Sequence, residues 1–318
     1  MESNSEQLNK MRAKFLKKNN RTLSLEQKEA LTGYLFMVPY LIGFIIFQGL
    51  PFLLTLITSF TDMRFITLDI SKIRFVGLDN FLSVIRDRDF LMAVVRTLYY
   101  MALYVPITII TSIVIAYFIN TKIYLKNMIR TLLFLPFVTN IVAVAMVWSL
   151  LYDYLDGPIN MFLRRLGIEN PPMWLIGDMP VVIPSIVIVA IWNGIGLFFV
   201  TYLAALQGIP KELYEAAEID GANEVQKFFA ISIPYLSPTT FFLIITAIIT
   251  SMQNFAVVQT LTGGGPGNES TTLSLYTYAQ AFQYNRMHIA ATQSVYMLLM
   301  LAVITAFYWK GQKKWTYY

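Results

Sequence analysis

Gly208–Pro234 reads GIPKELYEAAEIDGANEVQKFFAISIP and lies between two long apolar runs. It holds five of the chain's 19 acids: Glu212, Glu215, Glu218, Asp220 and Glu224. A connector that only joined two membrane helices could be short and featureless. This one is polar, rich in small residues (Ala216, Ala217, Gly221, Ala222) and carries helix signals of its own. Pro210 suits a first helical turn, where its missing N–H costs nothing. Lys211–Ile219 are mostly good helix formers, with Glu212 and Glu215 near the favourable N-terminal end of the dipole. Asp220-Gly221 stops that helix, since glycine takes a left-handed cap without penalty. A second segment, Ala222–Ile233, carries Val225, Phe228, Phe229 and Ile231 on an apolar side and stops at Pro234. Two short helices at an angle, beneath a membrane, are expected. Small side chains permit close backbone approach of a neighbour, and the surrounding carboxylates can pair with a basic rim. The stretch reads as a surface built to be gripped; the alternative is an amphipathic connector lying in the membrane interface.

The composition explains why a membrane enters this reading. The 318 residues are 56% hydrophobic and 14% charged, where soluble domains carry roughly 25% charge. There is no cysteine and one histidine, His288. Disulfide scaffolds, thiol nucleophiles and Cys/His metal sites are excluded, and no metal site is expected. The formal charge of +5 fits lysines and arginines held at a membrane face. No basic patch is interleaved with aromatic platforms, so no nucleic acid partner is expected.

A spanning helix needs roughly 20 mostly apolar residues. Six stretches qualify: 31–60, 95–120, 131–152, 179–207, 236–260 and 287–309. The first is too long for a signal-peptide core and is read as a retained span; Pro39, Gly43, Gln48 and Pro51 predict a tilt or kink in it. The expected architecture is an all-α membrane protein of six transmembrane helices. A basic arm (1–30) precedes the span domain (31–309), and a short tail (310–318) closes the chain. Leu8, Met11, Phe15 and Leu16 fall at helical spacing, so part of the arm could lie on the membrane surface; a solvated tail that sets topology is the preferred reading. With the N-terminus inside, the inner segments hold 15 of the 24 basic residues. Lys122, Lys126 and Arg130 form an acid-free inner loop, and Lys310, Lys313 and Lys314 sit at the end of the chain. The outer loop 61–94 weakens the bias with Arg64, Lys72, Arg74, Arg86 and Arg88. The positive-inside rule then puts both termini and Gly208–Pro234 in the cytoplasm.

The span interiors contain no Asp, Glu, Lys, Arg or His; Arg96, Arg286 and His288 fall at span edges. Pumps and ion-coupled transporters usually need an intramembrane ionisable group, and a membrane hydrolase needs a nucleophile with its base or a metal. The GxxxxGK[ST] phosphate loop is missing as well: Gly263–Gly267 is glycine-rich but no Lys-Ser/Thr comes after it. It reads as a tight outer loop at the end of the fifth span. The chain has no visible energy source, so it is a passive pore or one part of a machine driven by another subunit.

At Glu215-Ala-Ala-x-x-Asp-Gly221, with Ala222 and then Ile233-Pro234, the chain resembles the EAA loop of ABC importer permeases. Further stretches are similar to the sugar-type branch, the maltose and glycerol-phosphate permeases. They are Pro39…Pro51…Ser59-Phe60, Arg130-Thr-Leu-Leu-Phe-Leu-Pro136…Trp148 with Gly157 and Asn160, and Leu261-Thr-Gly-Gly-Gly-Pro266 with Tyr276 and Ala281-Phe282. The resemblance implies a type I ABC importer permease fold with a cytoplasmic coupling helix. It implies a second homologous permease subunit, two ABC ATPase subunits that carry the ATP and Mg, and an extracellular solute-binding protein. The chain would be a bacterial or archaeal plasma-membrane protein and not itself an enzyme. Glu215, Ala216, Ala217, Asp220, Gly221 and Ala222 would couple to the ATPase: Glu215 by pairing, Gly221 by making the turn, the alanines by fitting its cleft.

A sugar path in a membrane needs amides and aromatic faces instead of charges. Trp192, Asn193, Ser251, Gln253 and Asn254 in the fourth and fifth spans supply them, and Ser251 and Asn254, three apart, are expected to share a helix face. Interhelical hydrogen bonding is the plainer role for such residues. An ABC permease for a non-sugar solute such as glycerol phosphate, or a standalone channel or membrane enzyme, stands as an alternative function.

Overall fold

The computed structural model describes residues 24–64, 73–120 and 126–312. The apolar positions of the N-terminal arm and Lys122, Lys313 and Lys314 lie outside the described residues. The chain forms two units, Met1–Thr55 and Leu56–Tyr318. The described part of the first is almost all helix. α1 runs Leu25–Thr58, six residues ahead of the span start read from hydropathy. Its start is set locally: Ser24 accepts from the Gln27 N–H and Gln27 answers in a capping box. The predicted irregularity is a π turn at Ile45–Gly49, where the Leu50 N–H reaches Ile45 O. It directly precedes Pro51, which has no N–H to give. Phe36 and Phe47 are 80% and 78% exposed, a surface suited to lipid.

The second unit has a single plan. α2 (Asp79–Arg86) and α6 (Pro158–Arg165) are short helices between spans. The second span is α3 (Arg88–Asn120), the fourth α7 (Met179–Gln207), and the sixth α13 (Met287–Gln312). The third span is not the single helix expected over 131–152. It is α4 (Lys126–Val138) and α5 (Ile141–Leu151), meeting at 100°. Pro136 lies in the last turns of α4, and the Asn140 side chain caps α5 by accepting from the Val142 N–H at 2.9 Å. The fifth span is also interrupted: α10 (Ser237–Met252) and α11 (Ala256–Leu261) are separated by Gln253–Phe255. Between α7 and α10 lie α8 (Lys211–Ile219) and α9 (Glu224–Tyr235). α12 (Leu273–Tyr278) continues as a π turn to Gln283. Among the described residues the only sheet-like pairing is one antiparallel bridge, Thr61 with Phe75.

The core is the contact of α3, α7 and α10. Arg96, Tyr100, Tyr104, Thr108, Ser112 and Ala116 recur every four residues along α3 and all are buried, a ridge inclined to the helix axis that packs against neighbours as it winds. The small and hydroxylated members let α7 approach, as is usual between membrane helices. Two glycines of α7 mark close approaches of its neighbours. A Cβ on Gly194 would meet the Tyr104 hydroxyl at 3.0 Å, and one on Gly196 would meet Leu133 O at 3.0 Å and Phe134 Cα at 3.1 Å.

The end of the bundle opposite the α8–α9 corner is tied by polar contacts. Arg96 is buried beneath Glu269, 3.9 Å away in the loop after α11. That loop is tight as expected, with Gly263, Gly264, Gly267 and Asn268 at positive φ and a cis Gly265-Pro266 bond. Asn160 is fully buried and accepts from Trp174 Nε1–H at 2.7 Å. His288 serves packing: its Nδ1 lies 3.2 Å from Met63 O. Replacing Gly196 with Leu should push α4 from α7 and cost about 1–3 kcal/mol, read as a lower unfolding temperature in detergent.

Candidate functional site

Two places combine polar side chains with a break in helical order. The first is the α8–α9 corner. α8 spans the residues that propensity predicted, with Pro210 at the cap position one step before the first turn. Its end is a Schellman turn: the Ala222 N–H donates to Ala217 O at 2.9 Å and the Gly221 N–H to Glu218 O at 3.0 Å. Gly221 has φ +79°, as its predicted role requires. Glu215, Ala216, Asp220 and Gly221 are exposed, and Ala217 and Ala222 are half-buried. Ile219 is 88% exposed beside them. The outward face of α8 is therefore small, acidic and in part apolar.

The inward side is fastened. The Tyr214 hydroxyl lies 2.8 Å from the buried Ser232 hydroxyl. The Lys227 ammonium donates to Glu218 Oε1 at 2.7 Å and Glu224 Oε1 at 2.8 Å, although Lys227 is itself buried. Tyr117, near the C-terminal end of α3, lies 3.1 Å from both Oε2 and the backbone O of Glu224. The hydrogen bonds from Lys227 and Tyr117 hold the Glu224 carboxyl below the usual range. The bonds to Glu218 and Glu224 hold the Lys227 ammonium above its own. Both groups are charged throughout the neutral range.

The predicted second helix is corrected. It starts at Glu224, after an Asn223–Gln226 capping box, and not at Ala222. A π turn at Phe228–Ser232 shifts its faces. Phe228 and Ile231 pack on the core, but Val225 and Phe229 are 64% and 65% exposed. It also does not stop at Pro234; it runs to Tyr235 and turns 70° into α10 over the buried Leu236.

The second place is a cavity of about 390 Å³ beside the break in the fifth span. α3 contributes Tyr100 and Tyr104, α7 contributes Asn193, and the break contributes Gln253, Asn254 and Phe255. The Asn254 amide donates to the Tyr100 hydroxyl at 2.5 Å. The Asn193 amide donates to Pro136 O at 2.6 Å, covering a carbonyl beside the bend of the third span. The opened backbone of the fifth span is answered from α12: Ser274 donates to Met252 O at 3.1 Å and Thr272 to Asn254 O at 3.4 Å. No charged side chain is among the described lining residues.

Of the five path residues expected, Asn193, Gln253 and Asn254 meet at this cavity. Trp192 and Ser251 do not line it. Trp192 stands edge-on to Trp148, with centroids 5.9 Å apart. Ser251 is buried and bonds its own helix at Ile248 O. The face that Ser251 and Asn254 were to share does not form, because α10 ends at Met252. Sequence reasoning missed Tyr100 and Tyr104, whose rings stack 5.7 Å apart; their four-residue spacing in an apolar run was the available signal. It also missed Lys227, where a cation three residues after Glu224 was a clue, and Tyr117, for which the sequence carried none.

This architecture has known relatives. Residues 81–309 match the family described as "Binding-protein-dependent transport system inner membrane component". The arabinooligosaccharides transport system permease protein AraP of Halalkalibacterium halodurans is 32% identical over 91% of this chain and 90% of its own. The trehalose/maltose transport system permease protein MalF of Thermococcus litoralis is 32% identical over 91% and 95%. The lactose transport system permease protein LacF of Rhizobium radiobacter is 33% identical over 89% and 94%. In fold, the chain is similar to the crystal structure of a bacterial ABC transporter involved in the import of the acidic polysaccharide alginate. The TM-score is 0.79 at 24% identity, with 91% of this chain and 98% of that one covered. A family match across most of the span domain, with relatives above 30% identity along nearly the whole chain, makes this protein a member of the binding-protein-dependent transport system inner membrane components.

Proposed function

We propose that the chain is the transmembrane permease subunit of an ATP-driven importer that moves a sugar or oligosaccharide into the cytoplasm by alternating access. The observation that carries this reading is the α8 corner: a short helix with a small, acidic outer face and an inner side fastened by Lys227 and Tyr214. Such an element suits transmission of force. Two ATPase subunits below would bind and hydrolyse ATP with Mg, and a second permease subunit would complete the path. An extracellular solute-binding protein would deliver the substrate. The related alginate transporter has been crystallised with its pentasaccharide-bound periplasmic protein, which supports that partner. Glu215 and Asp220 would pair with the ATPase, Ala216, Ala217 and Ala222 would admit its cleft, and Gly221 would hold the corner. When ATP closes the ATPase pair, the gripped corners would move with it as rigid bodies.

For the substrate, the relatives' names point to arabino-oligosaccharides, trehalose or maltose, and lactose. The cavity chemistry agrees. Amides from Asn193, Gln253 and Asn254 can match hydroxyls, and the rings of Tyr100, Tyr104 and Phe255 offer apolar faces. A phosphorylated solute would call for a cation, which the described lining lacks. Both termini are assigned to the cytoplasm on the charge bias.

Gly221→Asp and Glu215→Lys should each lower transport and substrate-stimulated ATP hydrolysis while membrane insertion is unchanged; normal transport by both would remove the coupling assignment. Tyr100→Phe and Asn254→Ala should lower maltose, lactose or arabino-oligosaccharide uptake about fivefold, the worth of one hydrogen bond of about 1 kcal/mol, with binding-protein-stimulated ATP hydrolysis retained. The chain has no cysteine, so topology is directly testable. Ile219→Cys should react with an impermeant maleimide only from the cytoplasmic side, and Ile176→Cys only from outside; the reverse would invert the orientation.

A further inference from the structure

The α8–α9 corner has no packing of its own. Asp220, Gly221 and Asn223 are exposed, and a Cβ on Gly221 would meet nothing within 4 Å. A force applied to α8 would be absorbed by bending there unless something bridges the corner. The Tyr214–Ser232 contact joins α8 to the far part of α9, and beside the turn itself the bridge is Lys227. Its side chain is 6% exposed, while the carboxylates it binds, Glu218 and Glu224, are 63% and 67% exposed. Ion pairs whose carboxylates face water contribute little to stability, so stability alone is a weak reason for this arrangement. Its geometry is more telling. Glu218 belongs to the last turn of α8, whereas Glu224 and Lys227 belong to α9. One ammonium proton therefore joins the helices across the turn, and a second fixes Glu224 on α9 itself.

The connection continues on both sides. The second oxygen of Glu224 meets the Tyr117 hydroxyl on α3, and the Tyr117 ring packs edge-on to Phe228 at 4.7 Å. α3 reaches from Tyr117 to Tyr100 without a break, 17 residues or about 25 Å. α9 turns over the buried Leu236 into α10, which ends beside Asn254. The two routes meet again at the Asn254–Tyr100 hydrogen bond in the cavity.

We propose that Lys227 is a positioning residue: it locks α8 to α9 and, through Glu224 and Tyr117, to α3, so that a displacement of α8 reaches both walls of the cavity as one rigid movement. This rests on α8 being the element that the ATPase grips. Glu218 and Tyr117 belong to the same strut.

The test uses the complete reconstituted transporter with spin labels on the otherwise cysteine-free chain. Labels at Lys211→Cys on α8 and Ile249→Cys on α10 report the distance across the strut, with and without trapping by ATP and vanadate. In the parent protein that distance should be narrow and unchanged by trapping. In Lys227→Met it should broaden and shift on trapping, with ATP turnover retained and sugar moved per ATP falling about fivefold, the scale of mutations along a coupling route. Lys227→Arg should restore both. Should Lys227→Met fail to assemble, Glu218→Ala removes the Lys227 bond across the corner and should broaden the same distance. A narrow, trapping-insensitive distance in Glu218→Ala and in any assembled Lys227→Met would overturn the strut. A separate label at Ile219→Cys tests the underlying reading. It should be immobilised by bound ATPase subunits; if it stays mobile, α8 is not the gripped element, whatever the strut does.

Discussion

A membrane span that stops being helical must find partners for the backbone groups it releases, because hydrocarbon offers none. Much of the arrangement around the cavity stems from that constraint. The third span bends at Thr139–Asn140 and the fifth opens at Gln253–Phe255. Each break is served by polar side chains from a neighbour: Asn193 on Pro136 O, and Ser274 and Thr272 on the carbonyls of Met252 and Asn254. Supplying those partners brings α7 and α12 to the breaks. A polar cavity then lies within an otherwise oily bundle, lined without charge.

The α8–α9 corner meets a different demand. Backbone groups there can reach water, so satisfaction is easy and shape retention is the difficulty. A Schellman turn, a capping box and one buried lysine between two carboxylates hold nine residues of helix at a defined angle. The outward face stays small and exposed, suited to fitting a partner's cleft. Both polar places connect to the same two helices, α3 and α10. A transporter whose energy enters at one face and whose cargo passes at another depends on that sharing.

The broad features were legible in advance. Six apolar stretches, the helix Lys211–Ile219 and the left-handed Gly221 all appear where hydropathy, propensity and turn chemistry put them. The failures were breaks and faces. Hydropathy counts apolar residues and does not register that Asn140 caps a new helix or that the chain opens at Gln253. A periodicity carried through Phe228–Ser232 put Val225, Phe228, Phe229 and Ile231 on one apolar side; they divide between core and surface, because a π turn adds a residue and rotates one part of the helix against the other. The same assumption of continuous helix put Ser251 and Asn254 on one face.

By itself, the sequence determined the membrane class, the six spans, the corner and the family, since each rests on composition or spacing within a few tens of residues. Tertiary structure alone decided which polar groups meet. Tyr117 finds Glu224 across 107 residues and Asn254 finds Tyr100 across 154, and no local propensity specifies such pairs. They exist because α3 packs between its neighbours along a stripe of tyrosine and small or hydroxylated residues. That packing selected three of five expected amide and aromatic positions for the cavity and left Ser251 to its own helix.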